Sequence, residues 1–283
     1  RQVVIAMLVL AALTLFGVGF QAQESGDGSL KLWVLDVGQG DAILIDTPDH
    51  YQILIDGGPN EAVLAQLAKA LPATDKELDL VISTHNDADH LAGLNEVLRH
   101  YKVDKIWVTG AVHPTNTYRT FLALISKMQI PTETVLAGKT LEIGGLKGIV
   151  ISPFESLVGV TPTRSNAAGI VTYWQYNKIT WLLTADVEQA QEQIMLQRGV
   201  VRPVEILKIA HHGSKTSSSQ EFLAATSPEV AVISAGRNNQ YGHPHPSVLE
   251  RLSRFSQKIL RTDELGPIQF SIFPDRYSYQ SGS

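Results

Sequence analysis

Hydrophobic positions along the chain fall into short apolar runs and into stretches with a helical period. The apolar runs predict strands at 31–37, 42–46, 52–56, 78–83, 104–108, 170–176, 179–184, 204–209, 230–234 and 268–273. The helical stretches predict helices at 61–71, 91–100, 118–128, 187–198, 221–225 and 246–255. Strands precede helices twice, once from residue 30 to about 152 and again from about 166 to 273. This doubled order predicts an α+β protein in which two sheets pack face to face with helices outside.

The N-terminal segment has a different pattern, because residues 3–20 are apolar and uncharged. Such a run is just long enough to span a bilayer. We expect residues 1–22 to be a transmembrane segment, the last span of a longer protein, with a signal peptide as the alternative. Residues 23–29 are polar and predict a linker. In both cases the globular domain is expected at 30–276, outside the cytoplasmic membrane, with a flexible tail at 277–283.

Composition narrows the chemistry that this domain can perform. Hydrophobic residues make up 44% and charged residues 18% of the 283 positions, which suits a globular protein with a substantial core. The chain has no cysteine, so disulfides and thiolate-bound zinc are excluded. The net charge of −5 argues against a broadly basic surface that coats nucleic acid. It leaves room for a local basic groove, or for a substrate phosphate that bound metals neutralise.

Metal-capable side chains concentrate in one hexapeptide, residues 85–90, which directly follows the apolar run 78–84. Its candidate ligands are His85, Asp87, Asp89 and His90. Imidazole nitrogens and carboxylate oxygens are the ligands that divalent metals take in hydrolytic sites. The hexapeptide therefore predicts a loop that binds one or two cations at the end of a strand.

Further metal-capable residues also follow predicted strands, namely Asp186, the pair His211 and His212, and the pair His243 and His245. Taken singly, each has an ordinary structural interpretation, such as a helix cap for Asp186 or a hydrogen-bonded turn for a histidine pair. Their coincidence with the hexapeptide favours a joint metal site. The remaining histidines are expected to be surface or capping residues, and they are His50, His100 and His113.

These motifs resemble those of the metallo-β-lactamase superfamily. Residues 85–90 are similar to its HxHxDH signature, Asp56-Gly57-Gly58 to the Asp-Gly turn before it, and Ala185-Asp186 to the segment that carries its bridging carboxylate. More narrowly, the chain resembles the C-terminal hydrolase domain of the ComEC-type competence proteins in residues 36–42, 211–214 and 241–246. The resemblance covers residues 30 to 273, and it implies a four-layer αβ/βα sandwich with two mixed β-sheets.

Two departures from the family pattern change the metal site that the resemblance implies. Asp87 stands where the signature usually has a histidine, and Asn166 stands where a third histidine is expected. The first of two cation subsites would then contain His85, Asp87 and Asn166. Because this set is rich in oxygen, it favours manganese, with zinc as the alternative.

The resemblance also implies a second subsite and residues around it. The metal ligands expected for both subsites together are His85, Asp87, Asp89, His90, Asp186 and His211. Asp186 would bridge the two cations, and His211 is preferred to its neighbour His212. The residues expected to bind substrate or to support the ligands are Asn166, His212, Ser214, Lys215, Arg237 and Asp56.

The implied function is that of a metal-dependent phosphodiesterase or deoxyribonuclease, which acts on DNA on the outer side of the cell membrane during DNA uptake. Two cations would share a water, and the resulting hydroxide would attack phosphorus in line. The expected catalytic residues are Asp89, His243 and His245, and either histidine could protonate the leaving oxygen. The expected partners are DNA, as a single strand or as the strand that is not transported, and a membrane channel portion of the same polypeptide. No organic cofactor is expected.

Two other functions stay open at the level of the sequence. One is a stand-alone exported metallo-hydrolase of small phosphodiesters or β-lactams, with which the negative net charge is compatible. The other is an inactive DNA-docking module, which the missing third histidine suggests.

Overall fold

The structure is a computed structural model that describes residues 27–282, so the predicted segment 1–22 and most of the predicted linker lie outside the described residues. The strands are β1 (Leu30–Val34), β2 (Ile43–Asp46), β3 (Gln52–Ile55), β4 (Glu77–Leu78), β5 (Leu80–Ile82), β6 (Lys102–Val103), β7 (Ile106–Val108), β8 (Thr132–Thr134), β9 (Thr140–Ile143), β10 (Leu146–Ser152), β11 (Val171–Tyr176), β12 (Ile179–Leu183), β13 (Ile206–Lys208), β14 (Val230–Ile233), β15 (Lys258–Arg261), β16 (Ile268–Ile272) and β17 (Tyr277–Ser281). The α-helices are α1 (Ala62–Ala70), α2 (Ala88–His100), α3 (Asn116–Met128), α4 (Gln189–Gln197), α5 (Gln220–Thr226), α6 (Pro246–Phe255) and α7 (Thr262–Leu265). Two 3-10 helices span Ser165–Ala168 and Ala210–Gly213. Among these described helices, none has the length and apolar content that a bilayer-crossing segment needs.

Two mixed sheets contain most of the strands. The first has eight strands in the order β17-β16-β1-β2-β3-β5-β7-β8, and the second has seven in the order β15-β14-β13-β12-β11-β10-β9. In the first sheet β1, β2 and β3 are antiparallel, whereas β3, β5, β7 and β8 run parallel. In the second sheet β9 to β12 are antiparallel, and β12 to β15 run parallel. A short parallel pair, β4 and β6, completes the strands of the described residues.

The period-two alternation of the strands explains how the layers form. In β2, Ile43 and Ile45 belong to the core between the two sheets, where they join Trp174 and Trp181 of the second sheet. Leu44, between them, faces the opposite side and packs in the core beneath α1 and α2. Successive strand residues point to opposite faces, so each sheet is apolar on both sides and needs helices outside. The predicted four-layer αβ/βα sandwich is confirmed.

Two glycines allow α2 to approach the turn that follows β3. A Cβ at Gly93 would overlap the Gly57 carbonyl oxygen, and a Cβ at Gly57 would overlap the backbone of Leu94. The close approach is tied by hydrogen bonds, since Gly57 N–H donates to the His90 carbonyl over 2.8 Å and Gly93 N–H donates to the Gly58 carbonyl over 2.9 Å. This contact fixes the first turn of α2 relative to the first sheet.

The last residues of the chain differ from the prediction. Residues 277–283 are predicted to be a flexible tail, but β17 pairs antiparallel with β16 along its whole length. Tyr277 and Tyr279, two residues apart, lie on the same face and contact Phe270 with ring centroids 6.1 and 5.8 Å apart. The prediction of a tail was wrong. Alternate residues of this strand, Ser278 and Gln280, are polar and exposed, so the sequence shows little of the face that packs on the sheet.

Candidate metal centre

Loops from both sheets bring four ligand-type side chains together at one edge of the sandwich. Asp89 and His90 lie in the first turn of α2, Asp186 follows β12, and His212 follows β13. Each offers one atom within 4.8 Å of the others, and we call this group the four-residue cluster. His90 Nε2 and His212 Nε2 lie 3.3 and 3.2 Å from Asp186 Oδ2. His212 Nε2 also lies 3.4 Å from Asp89 Oδ2.

Several buried atoms in this cluster, and one in the adjacent His85, lack a hydrogen-bond partner among the described residues. They are His85 Nε2, His90 Nε2, His212 Nε2 and Asp186 Oδ1. Leaving such an atom buried and unpaired costs about 1–3 kcal/mol, so their lone pairs call for a positively charged partner. A divalent cation provides this for imidazole nitrogens and carboxylate oxygens. The residues of the cluster therefore fit a metal ion.

Hydrogen bonds behind the cluster turn the imidazole lone pairs toward its centre. His90 Nδ1 lies 2.8 Å from Asp56 Oδ2, and His212 Nδ1 lies 2.9 Å from the Ser234 carbonyl oxygen. Both partners are acceptors, so each ring donates its Nδ1 proton and leaves Nε2 free. Asp56 is itself fixed by Thr84, whose backbone N–H and hydroxyl donate to it over 2.8 and 2.6 Å. Asp56 thus lies where a residue that supports a ligand is expected.

The carboxylates give the cluster a strong attraction for positive charge. Burial alone lowers the pKa of His90 and His212, but nearby carboxylates together outweigh burial and raise the pKa of both well above its ordinary value. These carboxylates are Asp186 and Asp56 at His90, and Asp186 and Asp41 at His212. Burial in turn raises the pKa of Asp186, but His212 and His90 hold it well below its usual range. A position that attracts protons so strongly in the absence of metal will also attract a divalent cation.

The residues predicted for the oxygen-rich subsite lie partly around His85. Its Nδ1 lies 2.9 Å from the Thr84 hydroxyl oxygen, and burial, helped by His90, lowers its pKa to about 3, so the ring is neutral. Asp87 Oδ2 lies 3.6 Å from His85 Nε2, and the Asp87 side chain is 36% exposed. Asn166 lies beside His211 instead, with its Nδ2 3.4 Å from that ring. The structure brings Asp87 to His85, as predicted, and places Asn166 at the rim.

His113 is a residue near the site that the sequence analysis missed, because it was expected to be a surface or capping histidine. Its Nε2 lies 3.8 Å from Asp87 Oδ1, and its Nδ1 lies 3.0 Å from the Thr115 hydroxyl oxygen. Asp87 is therefore close to two imidazoles, those of His85 and His113. The proximity follows from the topology, because β5 and β7 are parallel neighbours. The loops after these strands, which carry Asp87 and His113, therefore meet at one edge of the sheet.

The structure corrects the choice between the two adjacent histidines. His212 is buried and belongs to the four-residue cluster, whereas His211 is 22% exposed and lies 3.9 Å from Asp186 Oδ2. Both residues have a positive φ, 53° for His211 and 54° for His212, so the chain makes a tight turn directly after β13. The turn directs the second side chain inward. If the alternation of a strand continued through this turn, His211 would point inward, but the two positive φ values interrupt it.

The two histidines of the later segment separate in the structure. The His243 ring lies near those of His211 and His212, with centroids 5.6 and 6.4 Å apart, and burial lowers its pKa to about 4. His245 is the N-cap of α6, and its Nδ1 accepts the Ser247 backbone N–H over 3.2 Å. His243 thus keeps a position suited to catalysis. The prediction of a catalytic role for His245 loses its geometric basis, since that side chain caps a helix.

A buried lysine is the second feature that the sequence analysis missed. Lys208 is 1% exposed and forms an ion pair with Asp41, which is also buried. Its Nζ donates to the Ala185 carbonyl over 3.2 Å and lies 3.8 Å from Asp186 Oδ1. Burial alone raises the pKa of Asp41, but Lys208, together with His212 and His90, holds it below its ordinary value. The visible signal was a lysine inside the apolar run Ile206-Leu207-Lys208-Ile209.

The residues predicted to bind substrate differ in exposure. Ser214 is buried, and its hydroxyl lies 3.1 Å from the Thr216 hydroxyl within the same turn. Lys215 and Arg237 are exposed, and Arg237 Nε donates to the Asp263 carbonyl over 3.1 Å. None of the three belongs to the four-residue cluster, and their role in substrate binding stays a prediction.

The fold and this site define a class of metal-dependent hydrolases. The chain belongs to the metallo-β-lactamase superfamily, whose family model matches residues 35–237. The chain is also similar to YhfI of Bacillus subtilis, a metallo-β-lactamase fold protein of known crystal structure, with a TM-score of 0.57 and 13% identity over 89% of this chain and 99% of that one. At that identity the likeness supports the fold alone.

Within this superfamily, the chain is similar to Competence protein ComA of Neisseria gonorrhoeae, which confirms the narrower resemblance. The two are 28% identical over 274 residues, covering 94% of this chain and 35% of that protein. The chain is 31% identical over 265 residues to ComE operon protein 3 of Bacillus subtilis, covering 87% of this chain and 33% of that protein. It is 32% identical over 251 residues to Recombination protein 2 of Haemophilus influenzae, covering 87% of this chain and 29% of that protein. The chain thus spans about a third of the length of these relatives.

Proposed function

We propose that this chain is a metal-dependent phosphodiesterase that hydrolyses DNA. The observation that carries the proposal is the set of unpartnered buried nitrogen and oxygen atoms at the four-residue cluster. When bound there, divalent cations would activate a water at neutral pH and draw charge from the phosphoryl oxygens. The residues that would hold them are His85, Asp87, Asp89, His90, Asp186 and His212. The oxygen-rich surroundings of Asp87 favour manganese over zinc.

The side chains around the cluster have separate tasks in this proposal. Asp56 and the Ser234 carbonyl hold the tautomers of His90 and His212, so that the Nε2 atoms stay available. His243 has a buried Nδ1 without a partner among the described residues, and the ring is placed to hydrogen-bond a phosphoryl or leaving oxygen at the rim. Lys208 balances part of the negative charge from the interior side.

DNA is the proposed substrate for two reasons. The names of the relatives connect them with competence and recombination, which are processes that handle DNA. The exposed Lys215 also precedes Thr216, whose hydroxyl lies 3.5 Å from His211 at the rim of the site, so a cation is available there for a phosphate. The net charge of −5 does not provide a broad basic surface for DNA. Bound metals and a few local cations would therefore have to neutralise the DNA phosphates.

We further propose that the hydrolase works on the outer side of the cell membrane, next to a channel portion of the same polypeptide. The apolar, uncharged residues 3–20 support a membrane attachment, and the relatives are about three times as long as the matched part. In this arrangement one DNA strand would be degraded while the other passes inward.

The test is DNA cleavage by the purified protein with Mn²⁺, Mg²⁺ or Zn²⁺, on single-stranded and double-stranded substrates. Asp89→Asn should lower the rate on the order of 100-fold or more, because it removes a charged ligand of the cluster. The control is Asp275→Asn, since Asp275 is exposed and pairs only with its neighbour Arg276. If the wild-type protein cleaves no form of DNA with any of these metals, the proposal is wrong. Cleavage of bis-p-nitrophenyl phosphate or of a β-lactam, but not DNA, would assign a small substrate instead.

A further inference from the structure

The loop between β14 and α6 exposes an aromatic side chain next to the four-residue cluster. Tyr241 is 61% exposed, although tyrosine rings usually bury much of their surface. It lines a groove of about 410 Å³ together with Asp89, Gln39 and Asn60. Since Asp89 belongs to the cluster, the groove that Tyr241 lines borders the proposed metal centre.

The backbone that carries Tyr241 is held in place by a neighbouring side chain. Asn239 Oδ1 accepts the backbone N–H groups of Tyr241 and His243 over 3.1 and 3.0 Å. Asn239 Nδ2 donates to the carbonyl oxygens of Gly236, over 2.9 Å, and of His243. A segment with this many internal bonds is pre-ordered, so little conformational entropy is lost when a ligand binds to it.

The orientation of the ring leaves one of its faces available. Tyr241 stacks on His243, with centroids 5.9 Å apart and an interplanar angle of 25°. His243 therefore lies on one side of the tyrosine ring, while most of the Tyr241 surface stays exposed. An aromatic face that is open, pre-ordered and adjacent to a phosphodiester-cleaving site matches the stacking platforms of proteins that bind single-stranded nucleic acids.

We propose that Tyr241 stacks on a nucleobase of the substrate strand and thereby positions the strand beside the four-residue cluster. The inference rests on the proposed function and names its substrate more narrowly. A base can lie flat on Tyr241 only after it leaves its own stack and its pairing partner. The site therefore selects single strands or unpaired ends, without preference for sequence, because every base has a π face.

Steady-state cleavage of a short single-stranded DNA tests the proposal. Tyr241→Ala should raise KM roughly 5- to 100-fold, the range expected when one stacked base loses its platform, while Tyr241→Trp should keep KM close to the wild-type value. The matched control is Tyr279→Ala, since Tyr279 is also exposed, at 41%, but lines a different groove beside Glu229. Bound metal per chain should stay the same in all three variants, and the thermal midpoint should stay the same in both Tyr241 variants, which excludes misfolding as the cause.

A second substrate separates base stacking from a general effect on the site. On a strand of the same length built from abasic nucleotides, the wild type and Tyr241→Ala should have equal KM values, because there is no base to stack. If KM on the normal strand does not change in Tyr241→Ala, or rises equally on the abasic strand, the inference is overturned.

Binding measurements keep this inference distinct from the proposed hydrolysis. Fluorescence anisotropy of a labelled single strand, in wild-type and Asp89→Asn backgrounds, measures affinity without requiring cleavage. Tyr241→Ala should weaken binding of the normal strand, but not of the abasic strand, in both backgrounds. If no DNA is cleaved yet this difference is found, the proposed function fails and the base platform stands. If DNA is cleaved and the difference is absent, the proposed function stands and the platform is refuted.

Discussion

Lys208 and Asp41 form a buried ion pair within the strand and turn that support the proposed metal site. Lys208→Met removes the positive charge and keeps most of the volume, so the buried Asp41 carboxylate loses its main counter-charge and keeps only its contact with His212. We expect this substitution to lower the free energy of unfolding by about 3–5 kcal/mol. The control is Lys147→Met, whose exposed pair with Glu142 is worth no more than about 1 kcal/mol. Urea unfolding of both variants measures the difference, and equal losses would contradict the expectation.

Asp46 has no proposed role in metal binding, but it makes the stability of the protein depend on pH. Burial raises its pKa from 3.8 to about 6, and Asp46 Oδ1 has no hydrogen-bond partner among the described residues. Between about pH 4 and 6 the folded state holds a proton that the unfolded state releases, so this residue lowers stability as the pH rises. Asp46→Asn removes this dependence and should stabilise the protein by about 1–2 kcal/mol at pH 7, allowing for solvent screening.

The measurement for Asp46→Asn is the free energy of unfolding of both proteins from pH 3.5 to pH 8. The gain should be small at the acid end and reach its full size above about pH 6. A gain that is equal at every pH would mean that the charge of Asp46 is not its cause.

The sequence predicted which residues lie at the site, but it did not predict which of their side chains point inward. The hexapeptide 85–90 and Asp186 were predicted from their place after apolar runs, and the structure brings them together. The inward residue of the pair His211 and His212 was predicted wrongly, because it depends on two left-handed backbone conformations that no side-chain pattern announces. The position of His113 near the site was not predicted, because its partner Asp87 lies in the loop that follows a neighbouring strand.

At the level of elements, the contact between α2 and the turn after β3 decides where the ligands lie. Gly93→Ala places a Cβ against the Gly57 carbonyl oxygen, and backbone cannot move aside as a side chain can. We expect a loss of about 3 kcal/mol or more in stability, together with weaker metal binding, because Asp89 and His90 move with the helix. The control on the same helix is Glu96→Ala, which removes only a surface pair with Arg99. Urea unfolding and metal titration test both variants, and intact metal affinity in Gly93→Ala would argue against this view.

Element boundaries were harder to predict than element types. The apolar runs predicted the two sheets, because a strand buried on both faces has an unmistakable composition. Helix α2 begins at Ala88, three residues before the predicted start at residue 91, because its first turn contains the polar residues Asp89 and His90 and shows no apolar period. Strand β17 was not predicted for a similar reason, because it is mostly polar and has only one weakly apolar face.

For the whole molecule, the four-residue cluster joins the two sheets, since Asp89 and His90 belong to the first and Asp186 and His212 to the second. A cation that binds all four should therefore stabilise the complete fold. At a free Mn²⁺ concentration about 100 times its Kd, we expect a gain of about 2.7 kcal/mol in the free energy of unfolding. Calorimetry with Mn²⁺ and with EDTA measures the gain, which should largely vanish in Asp186→Asn. An unchanged thermal midpoint would show that the cluster does not bind the ion.

The position of these residues along the chain has a consequence for biosynthesis. A polypeptide made from its N-terminus contains Asp89 and His90 well before Asp186 and His212 exist, and the closing strands β16 and β17 come last. The four-residue cluster is therefore complete only when the second half has folded against the first. Under the proposed function, hydrolysis would therefore start only after both halves of the domain have been made and have folded.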